Sequence, residues 1–133
     1  MGKKAYDNGY IEACNLLGCI ELNHSLQDAF NWFKIGAEAG DIWAIRNLAN
    51  MYEKGEGCEK NINLCVDTYT KGANMGDPQS LYEFARVVFE NMSLLPKENR
   101  KNAKQQATQA VKESALRGFE KAVKYCNDHK IKF

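Results

Sequence analysis

A glycine-aspartate pair recurs thirty-six residues apart, and the sequence around it recurs with it. Gly40-Asp41 opens GDIWAIRNLANMY, and Gly76-Asp77 opens GDPQSLYEFARVVF. A weaker copy, GYIEACNLLGCI, starts at Gly9, and a terminal one, GFEKAVKYCN, starts at Gly118. A period of this length constrains the fold more than any composition does. It marks a stacked array, in which each unit buries its apolar face against its neighbours.

Within the register, a small residue stands at Ala13, Ala44, Ser80 and Ala122, and four residues later come Leu17, Leu48, Phe84 and Cys126. The next position is small again in three copies, Gly18, Ala49 and Ala85. Small and large side chains alternating at helical spacing let neighbouring helix axes approach closely. A second helix precedes each glycine: AFNWFKIGAEAG from Ala29, CVDTYTKGANMG from Cys65 and ATQAVKESALRG from Ala107. These align without gaps, so that Phe33, Tyr69 and Val111 coincide, then Gly36, Gly72 and Ser114, then Ala37, Ala73 and Ala115. The closing glycine suits a left-handed helix C-cap, and Asp41 or Asp77 suits the N-terminus of the next helix. The expected fold is all-α: an α/α solenoid of about three helix-turn-helix repeats and a closing helix. It forms one domain over 1–133, with repeats at about 5–40, 41–76 and 77–118 and the closing helix at 119–130.

The composition agrees with a soluble globular chain: 44% hydrophobic, 26% charged and only two prolines, Pro78 and Pro96. The net charge of +1 is unevenly spread. Residues 1–76 hold seven basic and ten acidic side chains, and 77–133 hold eleven and seven. Such polarity steers a partner, yet it is not the basic stripe of a nucleic-acid binder. No apolar run is long enough to span a membrane. Five cysteines, an odd number, and no apolar segment after Lys3 and Lys4 place the chain in a reducing cytoplasm.

The second unit carries a family resemblance. Ala44, Leu48, Ala49 and Tyr52, the loop Gly55-Glu56-Gly57-Cys58, and Cys65, Tyr69, Gly72 and Ala73 resemble the Sel1-like repeat, a relative of the tetratricopeptide repeat. Cys58 stands where valine is usual, and Cys65 where alanine is usual. The third unit departs most, with NMSLLPKENRKNAKQ in place of the glycine loop. From Gly18, Ala49 and Ala85 to the second helices at Ala29, Cys65 and Ala107 the separation grows from 11 to 16 to 22 residues. The first loop is thus short and the third long. The resemblance implies an adaptor or scaffold that binds a partner protein on the concave face lined by the first helix of each unit. It implies no catalysis. Bacterial members of the family include immunity proteins that neutralise toxins, and a toxin domain is one partner the resemblance admits. The alternative is a structural or self-associating solenoid, or a fragment of a larger adaptor.

Helical periodicity separates the two sides of the first helix in the second unit. Ala44, Leu48, Met51 and Tyr52 share the core side, while Trp43, Arg46, Asn47, Asn50 and Lys54 share the other. Trp43 is unusual, because its counterparts Glu12, Gln79 and Lys121 are polar. It is either a binding anchor or a residue packed on the preceding helix near Ala39. The equivalent stripes are Glu12, Asn15 and Cys19 in the first unit and Gln79, Tyr82, Glu83, Arg86 and Glu90 in the third. The expected partner-binding set is therefore Glu12, Asn15, Trp43, Arg46, Asn47, Asn50, Gln79, Tyr82, Glu83 and Arg86, with Arg46 and Arg86 available to clamp a carboxylate. Any of these side chains equally suits an ordinary solvated face. In the third loop, Leu94 and Leu95 beside Lys97, Arg100, Lys101 and Lys104 form either a docking edge or a segment tucked under the solenoid.

Catalytic, cofactor and metal chemistry is not expected. His24 and His129 lack partners at ligand spacing, and Cys14 and Cys19 point apart on a helix. Cys14, Cys65 and Cys126 read as buried small hydrophobes. No phosphate loop or nucleophile elbow occurs. The free chain is expected to be a monomer.

Overall fold

A computed structural model describes residues 8–133, so residues 5–7, where the first repeat is expected to begin, lie outside the described residues. Seven α-helices and one 3-10 turn follow in order: α1 (Asn8–Glu21), α2 (Leu26–Glu38), α3 (Ile42–Lys54), α4 (Ile62–Asn74), α5 (Pro78–Glu90), the turn Met92–Leu94, α6 (Lys97–Leu116) and α7 (Glu120–Asp128). The chain divides into two compact units, with the division along the sequence inside α4: one runs to Thr68, the other spans Tyr69–Phe133.

The recurring glycine ends each second helix as its position predicts. Gly40, Gly76 and Gly118 sit at φ +89°, +84° and +85°. The next backbone N–H then turns back to a carbonyl five residues earlier, Asp41 to Gly36 at 3.0 Å, Asp77 to Gly72 at 3.1 Å and Phe119 to Ser114 at 3.2 Å. These bonds satisfy carbonyls that the helix end leaves open. The aspartate at once starts the next helix. Asp41 Oδ2 accepts from the Ala44 N–H at 3.0 Å, and Asp77 Oδ2 accepts from the Ser80 N–H at 3.0 Å and from the Ser80 hydroxyl at 2.6 Å. Ser25 and Asn61 cap α2 and α4 in the same way. The terminal copy has Phe119 in place of the aspartate, so α7 starts without a side-chain cap.

Asp77→Ala removes both acceptor bonds of a buried carboxylate. It is expected to destabilise the second unit by about 1–2 kcal/mol, at the upper end for a lost cap. A thermal melt followed by circular dichroism measures the loss, and an unchanged midpoint contradicts it.

In the first unit the core is a cluster of Ala29, Phe33 and Ala37 from α2 with Ala44, Ile45, Leu48 and Met51 from α3, edged by Phe30, Ile42, Tyr52 and Cys58. Gly36 lies against α3 so closely that an added Cβ would stand 2.8 Å from Ala44 Cβ. This position of the second helix therefore has to be small. In the second unit α5 packs along α6 and α6 along α7. Ser114 fills the position of Gly36 there, and its hydroxyl donates to the Pro78 carbonyl at 2.7 Å, tying α6 to the start of α5. The repeat thus keeps a small residue but changes the contact it makes. Ring contacts add to this unit, Phe89 stacked on Tyr125 at 5.6 Å and Tyr82 tilted against Phe119 at 5.6 Å.

One expectation needs correction. The third inter-helix segment is not a long loop: it is the short turn at Met92–Leu94, and helix resumes at Lys97. Residues 97–106 carry no apolar stripe and so read as loop, but Lys, Glu, Arg, Ala and Gln are strong helix formers. Pro96 marks the start of that helix, where its missing N–H costs nothing. Most of these residues are exposed, so α6 runs past its packed portion as a solvated helix.

Candidate functional site

In the first unit, the structure assembles part of the face that periodicity singles out. Trp43 lies on the first turn of α3 and keeps 59% of its surface open. It is therefore not buried against α2. The guanidinium carbon of Arg46, three residues on, sits 4.7 Å from the centroid of the indole, a cation–π contact. This contact orients a large apolar surface without burying it. Beside it, the Asn47 amide donates to Asn15 Oδ1 at 3.0 Å, joining α3 to α1. Asn50 follows one turn later and is half-buried; Glu12 is exposed one turn before Asn15. Trp43, Arg46, Asn47 and Asn15 thus form one patch, an aromatic plate beside a paired amide surface.

The second unit carries Gln79, Tyr82, Glu83 and Arg86, all half-buried on α5. Here Arg86, one of the two arginines expected to clamp a carboxylate, pairs with acids of its own helix. Arg86 Nε bonds Glu83 Oε1 at 2.6 Å, and its Nη1 bonds Glu90 Oε1 at 2.9 Å. The acidic partners stand three residues before and four residues after it on the same helix, so the guanidinium is met on two sides. Tyr82 turns its ring towards Phe119, and burial pushes its phenol above the usual range. These side chains stabilise α5 more visibly than they offer a surface.

The cysteine readings separate cleanly. Cys14, Cys65 and Cys126 are buried, while Cys58 is half-buried and Cys19 exposed, and none is in a disulfide. Burial pushes the Cys14, Cys58 and Cys126 thiols up, away from reactive thiolate. No group of His, Cys, Asp or Glu among the described residues is placed to hold a metal ion. No described helix is long and apolar enough to cross a membrane.

Residues that periodicity did not single out as sites are equally visible. Leu16 and Ile20 on α1 are 62% and 50% exposed, and Leu94 is 68% exposed while Leu95 is half-buried. The third-segment leucines are therefore split, one outward and one partly inward. An amphipathic helix does not say in sequence whether its apolar face has a partner.

Paired helices closed by a left-handed glycine and an aspartate cap, repeated in register, give the chain the fold of a Sel1-like repeat solenoid. Repeats of this class are generally protein-interaction scaffolds. A Sel1 repeat protein from Oxalobacter formigenes has a similar structure, with a TM-score of 0.72 and 26% identity over 92% of this chain and 91% of that one. The protective antigen c5321 of uropathogenic Escherichia coli is similar in fold, with a TM-score of 0.74 and 22% identity over 86% of this chain and 24% of that one. In sequence, the chain is 36% identical over 90 residues to DAP3-binding cell death enhancer 1 of Rattus norvegicus. That match covers 65% of this chain but only 18% of the rat protein. No family model matches the chain.

Proposed function

We propose that the chain is a non-enzymatic binding module that holds a partner protein on the α1–α3 face of its first unit. The observation that carries this reading is Trp43: a tryptophan at a position that is polar in every other copy, exposed, and oriented by Arg46. Burying a prepositioned aromatic costs little conformational entropy and releases a large apolar area from water, which is why such residues dominate interface energetics. Asn15, Asn47 and Asn50 supply amide donors and acceptors around it, and Glu12 gives an acidic rim. The rat relative, named for binding DAP3, supports a protein as the class of partner. A toxin domain, bound tightly and one to one, is the narrower form of this proposal, with the cytoplasm as the compartment.

Affinity capture from source lysate by the wild type, followed by calorimetry with the protein captured, tests it. Trp43→Ala with Arg46→Ala is expected to weaken that complex by at least about 2 kcal/mol, the threshold of an interface hot spot. Equal binding by the double variant sinks the proposal for this face.

A further inference from the structure

Two exposed apolar features remain outside the Trp43 patch, their flanks carry opposite charge, and Glu12 alone borders both faces. The first is the outer stripe of α1. Leu17 and Ile20 occupy the register positions of Leu48 and Met51. On α3 those two residues are covered and belong to the cluster containing Phe33 of α2. On α1 the same positions are open, with Leu16 beside them, 37% for Leu17, 50% for Ile20 and 62% for Leu16. Helical spacing sets Glu12 on one flank of this stripe and Glu21 on the other. An apolar repeat face of this kind is one that a neighbouring element normally covers.

The second feature is the turn before α6. Leu94 projects from it, and the turn is fixed from both sides. Arg100 Nε donates to the Leu95 carbonyl at 3.0 Å and Arg100 Nη2 to the Ser93 carbonyl at 3.3 Å. The Leu94 N–H donates to the Asn91 carbonyl at 3.0 Å, and the Asn91 amide to the Val87 carbonyl at 2.7 Å. Immediately after it, Lys97, Lys101 and Lys104 stand at i, i+4 and i+7, one exposed face of the solvated part of α6. The result is a rigid apolar tip with a basic flank.

We propose that these two features are the halves of one contact between copies of this chain: the Leu94 tip of one copy docks on the α1 stripe of the next, its lysine face meeting Glu12 and Glu21. Charge complementarity selects this occupant. Pairing two α1 stripes about a two-fold axis would bring four glutamates together, whereas the lysine face neutralises them. The contact is heterologous, so each copy keeps one open half and association continues beyond the dimer. It is independent of Trp43 and Arg46.

The experiment is sedimentation velocity over a wide range of concentration. The wild type is expected to rise above the 15.1 kDa of a single chain as concentration increases, and to fall back towards it in 1 M salt, where charges are screened beyond about 3 Å. Ile20→Glu removes one half of the contact and Leu94→Glu the other; both side chains are exposed, and circular dichroism checks that each variant folds. Each alone is expected to stay monomeric, while an equal mixture forms a one-to-one dimer and nothing larger. Lys97→Glu with Lys101→Glu is expected to weaken association about tenfold, and adding Glu12→Lys with Glu21→Lys to restore it. The proposal is overturned by a wild type that stays at monomer mass throughout, by either single variant associating as the wild type does, or by a mixture that remains monomeric.

Discussion

Phe33→Ala is expected to cost about 3–5 kcal/mol, a large share of the roughly 5–15 kcal/mol that holds a domain folded. Phe33 has no solvent-accessible surface and sits in the cluster that joins α2 to α3. Its ring also lies over α1 at Gly18, where an added Cβ would stand 2.5 Å from the ring edge. Three helices therefore close on one side chain. Removing it leaves a cavity among Ala37, Ala44, Ile45, Leu48 and Met51, which relaxation fills only in part. Chemical denaturation followed by circular dichroism measures the loss. Gly18→Ala alone is expected to destabilise by about 1–3 kcal/mol through overpacking. In the Phe33→Ala background the same alanine has room, so the two losses should be clearly non-additive. Additive losses, or a Phe33→Ala cost below about 1 kcal/mol, a typical single-substitution effect, argue that the ring does not close this junction.

Gly57→Ala is expected to cost about 3 kcal/mol, more than the same change at Gly40. Both glycines have positive φ, +72° and +89°, so each alanine bears the left-handed penalty of roughly 1–2 kcal/mol. They differ in surroundings. A Cβ at Gly40 meets nothing within 4 Å, whereas one at Gly57 would stand 2.2 Å from the Leu26 carbonyl oxygen at the start of α2. The obstacle is backbone and cannot rotate aside, so the loop between α3 and α4 has to move, adding about 1–3 kcal/mol. Unfolding midpoints of the two variants, measured side by side, separate the packing cost from the conformational one. Equal losses would mean that the loop moves off α2 without penalty.

Much of the fold was legible because its signals are local. The glycine that ends each second helix needs only its own φ, and the aspartate that starts the next needs only the backbone N–H three residues on. Both recur in sequence and both appear where the register puts them, at Gly40-Asp41 and Gly76-Asp77. Leu48 and Cys126 were legible as core for a similar reason: the repeat places them on the side where small and large residues alternate. The start of α6 was not legible, because a solvated helix needs no apolar stripe and residues 97–106 have none.

The candidate site was less legible than the scaffold. Periodicity put Trp43, Arg46, Asn47 and Asn15 on one stripe, and the structure adds the contacts that organise them, the cation–π pair and the amide bond between α1 and α3. It put Arg86 on the equivalent stripe with the same standing, yet that guanidinium lies between Glu83 and Glu90. A helical wheel assigns a direction to a side chain but does not say which neighbour takes its hydrogen bonds.

The sequence by itself determined the helix boundaries marked by glycine and aspartate, the repeat register, and the small residues at which helices approach, because each depends on chemistry within a few residues. Tertiary structure alone decided that Leu17 and Ile20 stay open where Leu48 and Met51 are covered, that Ser114 bonds to Pro78 where Gly36 merely makes room, and that Leu94 points outward from a turn held by Arg100. The same residue type at the same register position meets a different environment in each copy. Burial depends on what lies across from a side chain, and that is a property of the stack rather than of the repeat.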